Sequence, residues 1–165
     1  MPKMEGLTIN GFDISPLFDL SLLGTPFADP DIKQIPEFGS IIYTVWHDQN
    51  GFIYVGIGGI RGLTVKDRDP RSRIKQHAEG RRSGDQFCVY IQDFFVIPEI
   101  VKSGHYQPER GYLDKLTRNY IRAHLSYRFL CFQTEDSDKI VRVLESKIQK
   151  GVEGIGPPFL NGKTS

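Results

Sequence analysis

Two tyrosines, Tyr43 in Ile41-Ile42-Tyr43 and Tyr54 in Tyr54-Val55-Gly56, flank the turn-forming stretch His47-Asp48-Gln49-Asn50-Gly51. Downstream, Arg73 and His77 stand four residues apart, Glu145 falls within a helical pattern, and Asn161 closes the run Pro157-Pro158-Phe159-Leu160-Asn161. These residue types suit phosphodiester hydrolysis. That reaction needs an in-line water, an acceptor for its proton, cationic stabilisation of the developing charge and help for the departing alkoxide. Arg73 offers a planar fork matched to phosphate oxygens and stays charged at any working pH. Glu145 offers a hard oxygen to a divalent cation such as Mg²⁺ or Mn²⁺, which needs only one or two protein carboxylates beside water and phosphate. A free tyrosine, with a pKa of about 10, needs a nearby cation or proton acceptor to serve as a base near neutrality. His77 could be that acceptor.

Several elements must position these groups. Two β-rich runs between Ile41 and Gly56 flank Asn50-Gly51, the strongest short hairpin cue in the chain. With Trp46 paired to Gly51 around a four-residue loop, Tyr43 lies directly opposite Tyr54, and a slip of one residue would separate them. Asp69-Pro70 predicts a helix with Asp69 as N-cap and Gly80 as its stop, carrying Arg73 and His77 on one face beside an Ile74/Ala78 stripe. Phe87, Cys88, Ile91, Phe94 and Phe95 fit a further helix after Ser83-Gly84-Asp85, although their β-branched and aromatic neighbourhood also permits a strand. Leu113, Leu116, Tyr120, Ile121 and His124 predict another, with Arg118 and Arg122 on its polar side. A strand over Tyr127 to Gln133 would add to the hairpin. A last helix opens with Glu135, Asp136 and Asp138, buries Ile140, Val141, Leu144 and Ile148, and carries Glu145 at the margin of that stripe. The expected fold is α+β: a small central sheet built on an antiparallel hairpin, flanked by helices. Residues 1–37, apolar at Leu17, Phe18, Leu20, Leu22, Leu23 and Phe27, form an N-terminal arm packed on a domain spanning 38–165.

In order and type, Tyr43, Tyr54, Arg73, His77, Glu145 and Asn161 resemble the signature of the GIY-YIG nuclease superfamily. The resemblance implies a metal-dependent endonuclease with a single site, a restriction-type or stand-alone member acting on DNA. It implies Tyr43 and His77 as a shared base, Arg73 as the transition-state cation and Glu145 as the metal ligand. Tyr54 would orient the water or the phosphate, and Asn161 would tie the C-terminal segment to the site. Two positions depart from the pattern. Ile41 replaces the glycine of the first triplet, and Ile57 stands where some relatives carry a lysine after the second, which places more weight on His77.

Composition fits this reading unevenly. A chain of 165 residues with 39% hydrophobic and 25% charged residues suits one globular domain. The net charge of +1 hides a basic segment in which Arg61, Lys66, Arg68, Arg71, Arg73, Lys75, Arg81 and Arg82 outnumber Asp67, Asp69 and Glu79. Arg110, Lys115, Arg118, Arg122 and Arg128 form a second cluster. Concentrated cations matter more than total charge for phosphate contacts, so Lys75, Arg81, Arg82, Gln86, Arg118 and Arg122 are candidate contacts to duplex DNA. Cys88 and Cys131 sit in apolar runs as buried thiols. His47, His105 and His124 lack metal-ligand spacing. No signal-like start and no long apolar window point to a cytoplasmic protein without a membrane span. A single site cuts one strand, so a double-strand break would need a homodimer or two visits, with the arm as a dimer contact. Three other readings compete: a non-catalytic nucleic-acid-binding module on the same scaffold, a protein-interaction domain using the arm, and a (D/E)xK nuclease at Glu145-Ser146-Lys147. The last calls for a strand where a helix is expected.

Overall fold

A computed structural model describes residues 6–27 and 32–163. It is α+β. Strand β1 (Thr8–Ile9) pairs with β2 (Phe12–Asp13) in a small hairpin of its own. The main sheet is antiparallel and contains β3 (Thr25–Pro26), β4 (Ser40–His47), β5 (Gly51–Gly58) and β6 (Leu125–Phe132) in the order β3-β6-β4-β5. Helices α1 (Ser72–Ala78), α2 (Gln86–Ile91), α3 (Ile97–Ser103) and α4 (Tyr112–His124) pack on one face, and α5 (Ser137–Gln149) on the other.

Two cores follow from this sandwich. Ile41, Tyr43, Val45, Ile53 and Tyr54 meet Ile74, Phe87, Ile91, Phe95 and Ile121 on the α1–α4 side. Ile42, Phe52 and Val55 meet Val141, Leu144 and Ile148 of α5 on the other. Because both faces are covered, β4 and β5 read as continuous apolar runs instead of the alternation of a half-exposed strand. Much of the expected arm is core: Ile14, Leu17 and Phe18 join the core on the α5 side, and Phe27 and Ile35 the core on the α1–α4 side, where Phe27 stacks on Phe87. Leu20, Leu22 and Leu23, expected to share that packing, are exposed.

The hairpin register differs from expectation. His47 pairs with Gly51 and Trp46 with Phe52, then a bulge moves the next pair to Val45 and Tyr54, so Tyr43 lies opposite Gly56 and not Tyr54. The shift of pairing at Trp46 alone would have sent Tyr43 and Tyr54 to opposite faces. The bulge inserts Ile53 and restores the phase, leaving Ile53 and Tyr54 both on the α1–α4 side. Both tyrosines therefore still face one side, with ring centroids 6.5 Å apart.

Other boundaries shift slightly. Helix α1 begins at Ser72, after a turn in which Asp69 Oδ1 accepts from Arg71 N at 2.9 Å; Asp69 caps that turn and not the helix. Glu135 precedes α5 and accepts from Val65 N instead of opening the helix. Phe94 is exposed because a π-helical turn over Gln92–Val96 rotates it off the buried stripe between α2 and α3. Glu145-Ser146-Lys147 lies in helix α5, as its pattern predicted. Among the described residues no helix is long and apolar enough to cross a membrane.

The edge of β5 is not left open. Phe159 N donates to Phe52 O at 3.3 Å and Leu160 N to Ile53 O at 2.8 Å. Asn161 then acts as a substitute strand: its Oδ1 accepts from Val55 N at 3.1 Å and its Nδ2 donates to Val55 O at 2.7 Å. Asn161→Ala removes both bonds and leaves a part-buried backbone pair unmet, which costs about 1–3 kcal/mol. Urea unfolding should show a lower midpoint with an unchanged slope.

Candidate active site

At the edge of β5 a cleft of about 790 Å³ opens between α1 and α5, lined by Tyr43, Tyr54, Arg73 and Glu145 together with Ile57, Gly58, Arg61 and Arg142. Side chains on opposite faces of a sheet meet only around an edge strand, and here the edge carries glycines. At Gly58 a Cβ would lie 3.2 Å from Pro70 O and 3.3 Å from Arg73 Cβ, so its absence lets α1 close on the sheet. Gly56 serves Tyr43. A Cβ there would collide with the Tyr43 phenol and crowd the Tyr54 ring, so Gly56 is the socket in which the phenol lies. Gly56→Ala should displace Tyr43 at a cost of about 1–3 kcal/mol. A lowered melting temperature together with weaker near-ultraviolet tyrosine dichroism would reveal the displacement.

Arg73 and His77 leave the same face of α1 but do different work. Arg73 lines the cleft, steadied by Nη1 donating to Gln76 Oε1 at 2.9 Å, while Gln76 Nε2 donates to Gly84 O at 3.2 Å. His77 is fully buried behind Tyr43. Its Nε2 lies 2.7 Å from Tyr43 Oη, and its Nδ1 lies 2.6 Å from Asp85 Oδ2. Asp85 Oδ1 in turn accepts from Phe87 N at 3.1 Å at the start of α2, and Cys88 Sγ donates to Oδ2 at 3.3 Å. Tyr43, His77 and Asp85 thus form a buried chain of hydrogen bonds leading away from the cleft.

Electrostatics assigns protonation along this chain. Burial disfavours the imidazolium and lowers the His77 pKa below its ordinary value, against the opposing pull of Asp85. Burial also resists ionisation of Asp85, but the hydrogen bond and charge of His77, with Cys88 and Arg73, outweigh it and hold the carboxyl low. An ionised Asp85 can only accept a hydrogen bond, and His77 turns Nδ1 toward it and Nε2 toward the Tyr43 phenol. Burial drives the Tyr43 pKa well upward, and likewise that of Tyr54. An isolated phenolate at Tyr43 is thus inaccessible near neutral pH. A phenol that gains a proton as it gives one to His77 avoids that state.

Glu145 reaches the cleft from α5. Burial raises its pKa against the opposing charges of Lys163, Arg142 and Arg73, and no hydrogen bond holds it among the described residues. A half-buried carboxylate lining the cleft can accept hydrogen bonds or ligate a cation. No cluster of three or more His, Cys, Asp or Glu side chains able to hold a metal occurs among the described residues. The site therefore fits a hard cation gripped by one carboxylate plus water and phosphate, and does not fit a caged ion.

No family model, curated protein or solved structure matches the chain. The reading of the site rests on its geometry. Of the six expected site residues, Tyr43, Tyr54, Arg73 and Glu145 share the cleft, His77 supports Tyr43 from behind, and Asn161 binds the neighbouring edge backbone. The expected nucleic-acid contacts lie to one side of it. Lys75 and Gln86 are exposed. Arg81 pairs loosely with Glu79, and Arg82 is tied to Gln92 and Asp93 at 2.7 Å each. Arg118 and Arg122 donate through Nε to Glu79 O and Ala78 O, closing the C-terminal end of α1. Sequence reasoning missed Arg142, although its place three residues before Glu145 on a predicted helix put both on one face. It also passed over Asp85, since no local spacing rule links it to His77.

Proposed function

We propose that this protein is a divalent-metal-dependent endonuclease that hydrolyses phosphodiester bonds of duplex DNA at a GIY-YIG-type site. One observation carries the reading: Arg73 and Glu145 converge on a cleft lined by a phenol that is hydrogen-bonded to a buried imidazole. Cations and a hard carboxylate answer the needs of a phosphate, and the phenol–imidazole pair answers those of the attacking water.

Arg73 grips the scissile phosphate and stabilises the charge that builds on its oxygens; Arg61 and Arg142, on the same cleft, neutralise neighbouring phosphates. Glu145 would hold Mg²⁺ or Mn²⁺, which supplies Lewis-acid polarisation of the phosphate when bound. Tyr43 accepts a proton from the water as it passes its own to His77 Nε2. Tyr43 forms cleft wall yet has no solvent-exposed area, while Tyr54 beside it is 8% exposed, so docking must shift Tyr54 far enough for water to reach the Tyr43 oxygen. Catalytic contacts often close only in the substrate complex. One site of this kind nicks one strand, and a double-strand break needs a second copy or a second visit.

Supercoiled plasmid incubated with the purified protein and Mg²⁺ or Mn²⁺ should convert to nicked circles, and chelation should stop the conversion. Salt-sensitive DNA binding without nicking under any divalent cation would instead identify a non-catalytic binding module.

A further inference from the structure

Behind the site the Asp85 carboxylate is buried against His77. We propose that Asp85 is a positioning residue that fixes His77 in the tautomer with its proton on Nδ1, so that Nε2 faces Tyr43 as a proton acceptor. This role rests on the reading of Tyr43 and His77 as the base. The geometry supports it directly: the Asp85 to His77 separation is 2.6 Å with both side chains fully buried, and no solvent competes for either group.

Asp85 is itself held. Its Oδ1 is occupied by Phe87 N and its Oδ2 by both His77 Nδ1 and Cys88 Sγ, so the carboxylate cannot rotate without breaking the start of α2. The other tautomer would turn the Nδ1 lone pair toward an ionised oxygen at 2.6 Å, a repulsive contact in a site without water. The titratable groups facing His77 are Tyr43 from β4, Tyr54 from β5, Arg73 from its own helix, Asp85 at the N-cap of α2 and Cys88 within α2. Of these only Asp85 is an anion, so only it can favour the imidazolium.

In the step that Asp85 serves, the water oxygen bonds to phosphorus as the bond to the leaving oxygen breaks. The water proton moves to Tyr43 Oη, the Tyr43 proton moves to His77 Nε2, and the departing alkoxide takes a proton from solvent. His77 becomes an imidazolium whose charge Asp85 balances, and returning the proton through Tyr43 to water resets the chain. Asp85 never touches substrate.

Asp85→Asn tests this. With Oδ1 kept by the Phe87 cap, the new amide nitrogen faces His77 Nδ1 and favours the proton on Nε2, which then cannot accept from Tyr43. The expected result is a fall in kcat of about 10²–10⁴-fold with KM and DNA affinity unchanged. Nitrogen NMR of His77 should show the Nδ1–H form in the native protein and the Nε2–H form in Asp85→Asn. A folded Asp85→Asn protein that keeps its kcat, or native protein with the proton on Nε2, overturns the proposal. Should the variant not fold, the native spectrum alone decides. Native protein with the Nδ1–H tautomer that cuts no DNA overturns the nuclease reading, and this role for Asp85 falls with it.

Discussion

Glu145→Gln should abolish plasmid nicking, by about 10³-fold or more, while leaving the melting temperature at pH 7 unchanged or higher. The two effects have one cause. Burial raises the Glu145 pKa, so the folded protein holds the charged form at a disadvantage relative to the unfolded chain. A group whose folded pKa lies above its unfolded value costs stability wherever it is ionised, and the cost vanishes as pH falls through the folded value and the carboxyl takes up a proton. Glutamine keeps the shape and removes the charge. A half-buried carboxylate that no hydrogen bond ties leaves its oxygens open to a ligand. Thermal melts of both proteins with and without Mg²⁺ would separate the contributions: the native protein should gain stability from the ion and Glu145→Gln should not. A variant that loses stability while keeping full nicking would remove Glu145 from the site.

The strands and helices around this site were legible because their side chains follow local rules. Asn50-Gly51 marks the hairpin, acidic residues open α5, and the Leu113 to His124 stripe marks α4; each signal lies within the element that it specifies. What escaped depends on partners distant in sequence. Strand β3 is two residues long, too short for any periodicity, and exists because Tyr127 and Ser126 offer it an edge. The bulge at Ile53 leaves Ile53 and Tyr54 in one core and Val55 in the other, a phase that the turn signal cannot announce. Even so the expected pairing of Tyr43 with Tyr54 failed harmlessly, because the register moved by two residues and the side-chain period is two.

The site divides in the same way. Arg73 and Glu145 could be placed from helical spacing, since α1 and α5 had clear stripes. The directions of their neighbours could not. Arg73 and His77 share a face of α1, yet one turn of helix is enough for the first to reach open solvent space and the second to vanish beneath β4. Likewise Arg118 and Arg122 stand on the polar side of α4 as expected, but tertiary packing gives their Nε groups backbone carbonyls at the end of α1. Polarity predicted their exposure to something hydrogen-bonding, and the fold supplied part of that something itself.

Tyr43→Phe removes a single oxygen and should lower kcat about 10²–10⁴-fold, with weaker effects on DNA binding. It also strands His77 Nε2 without a donor in a buried site, costing about 1–3 kcal/mol. The pH dependence distinguishes the two consequences. His77 must be neutral to accept the Tyr43 proton, and burial lowers its pKa below 6.5, so the acid limb of the native rate profile should lie below pH 6.5. Stability follows the same group. The unfolded chain takes up a proton near pH 6.5 that the folded protein refuses, so the contribution of neutral His77 is complete above that pH and is lost as pH falls through the folded value. Tyr43→Phe still buries His77, and its melting temperature should therefore keep the native acid sensitivity while its activity does not return at any pH. Rates measured from pH 5 to pH 8, beside melting curves over the same range, would show whether the two properties part in this way. An acid limb at or above the ordinary imidazole value, or substantial activity in Tyr43→Phe, would take the phenol–imidazole pair out of the reaction.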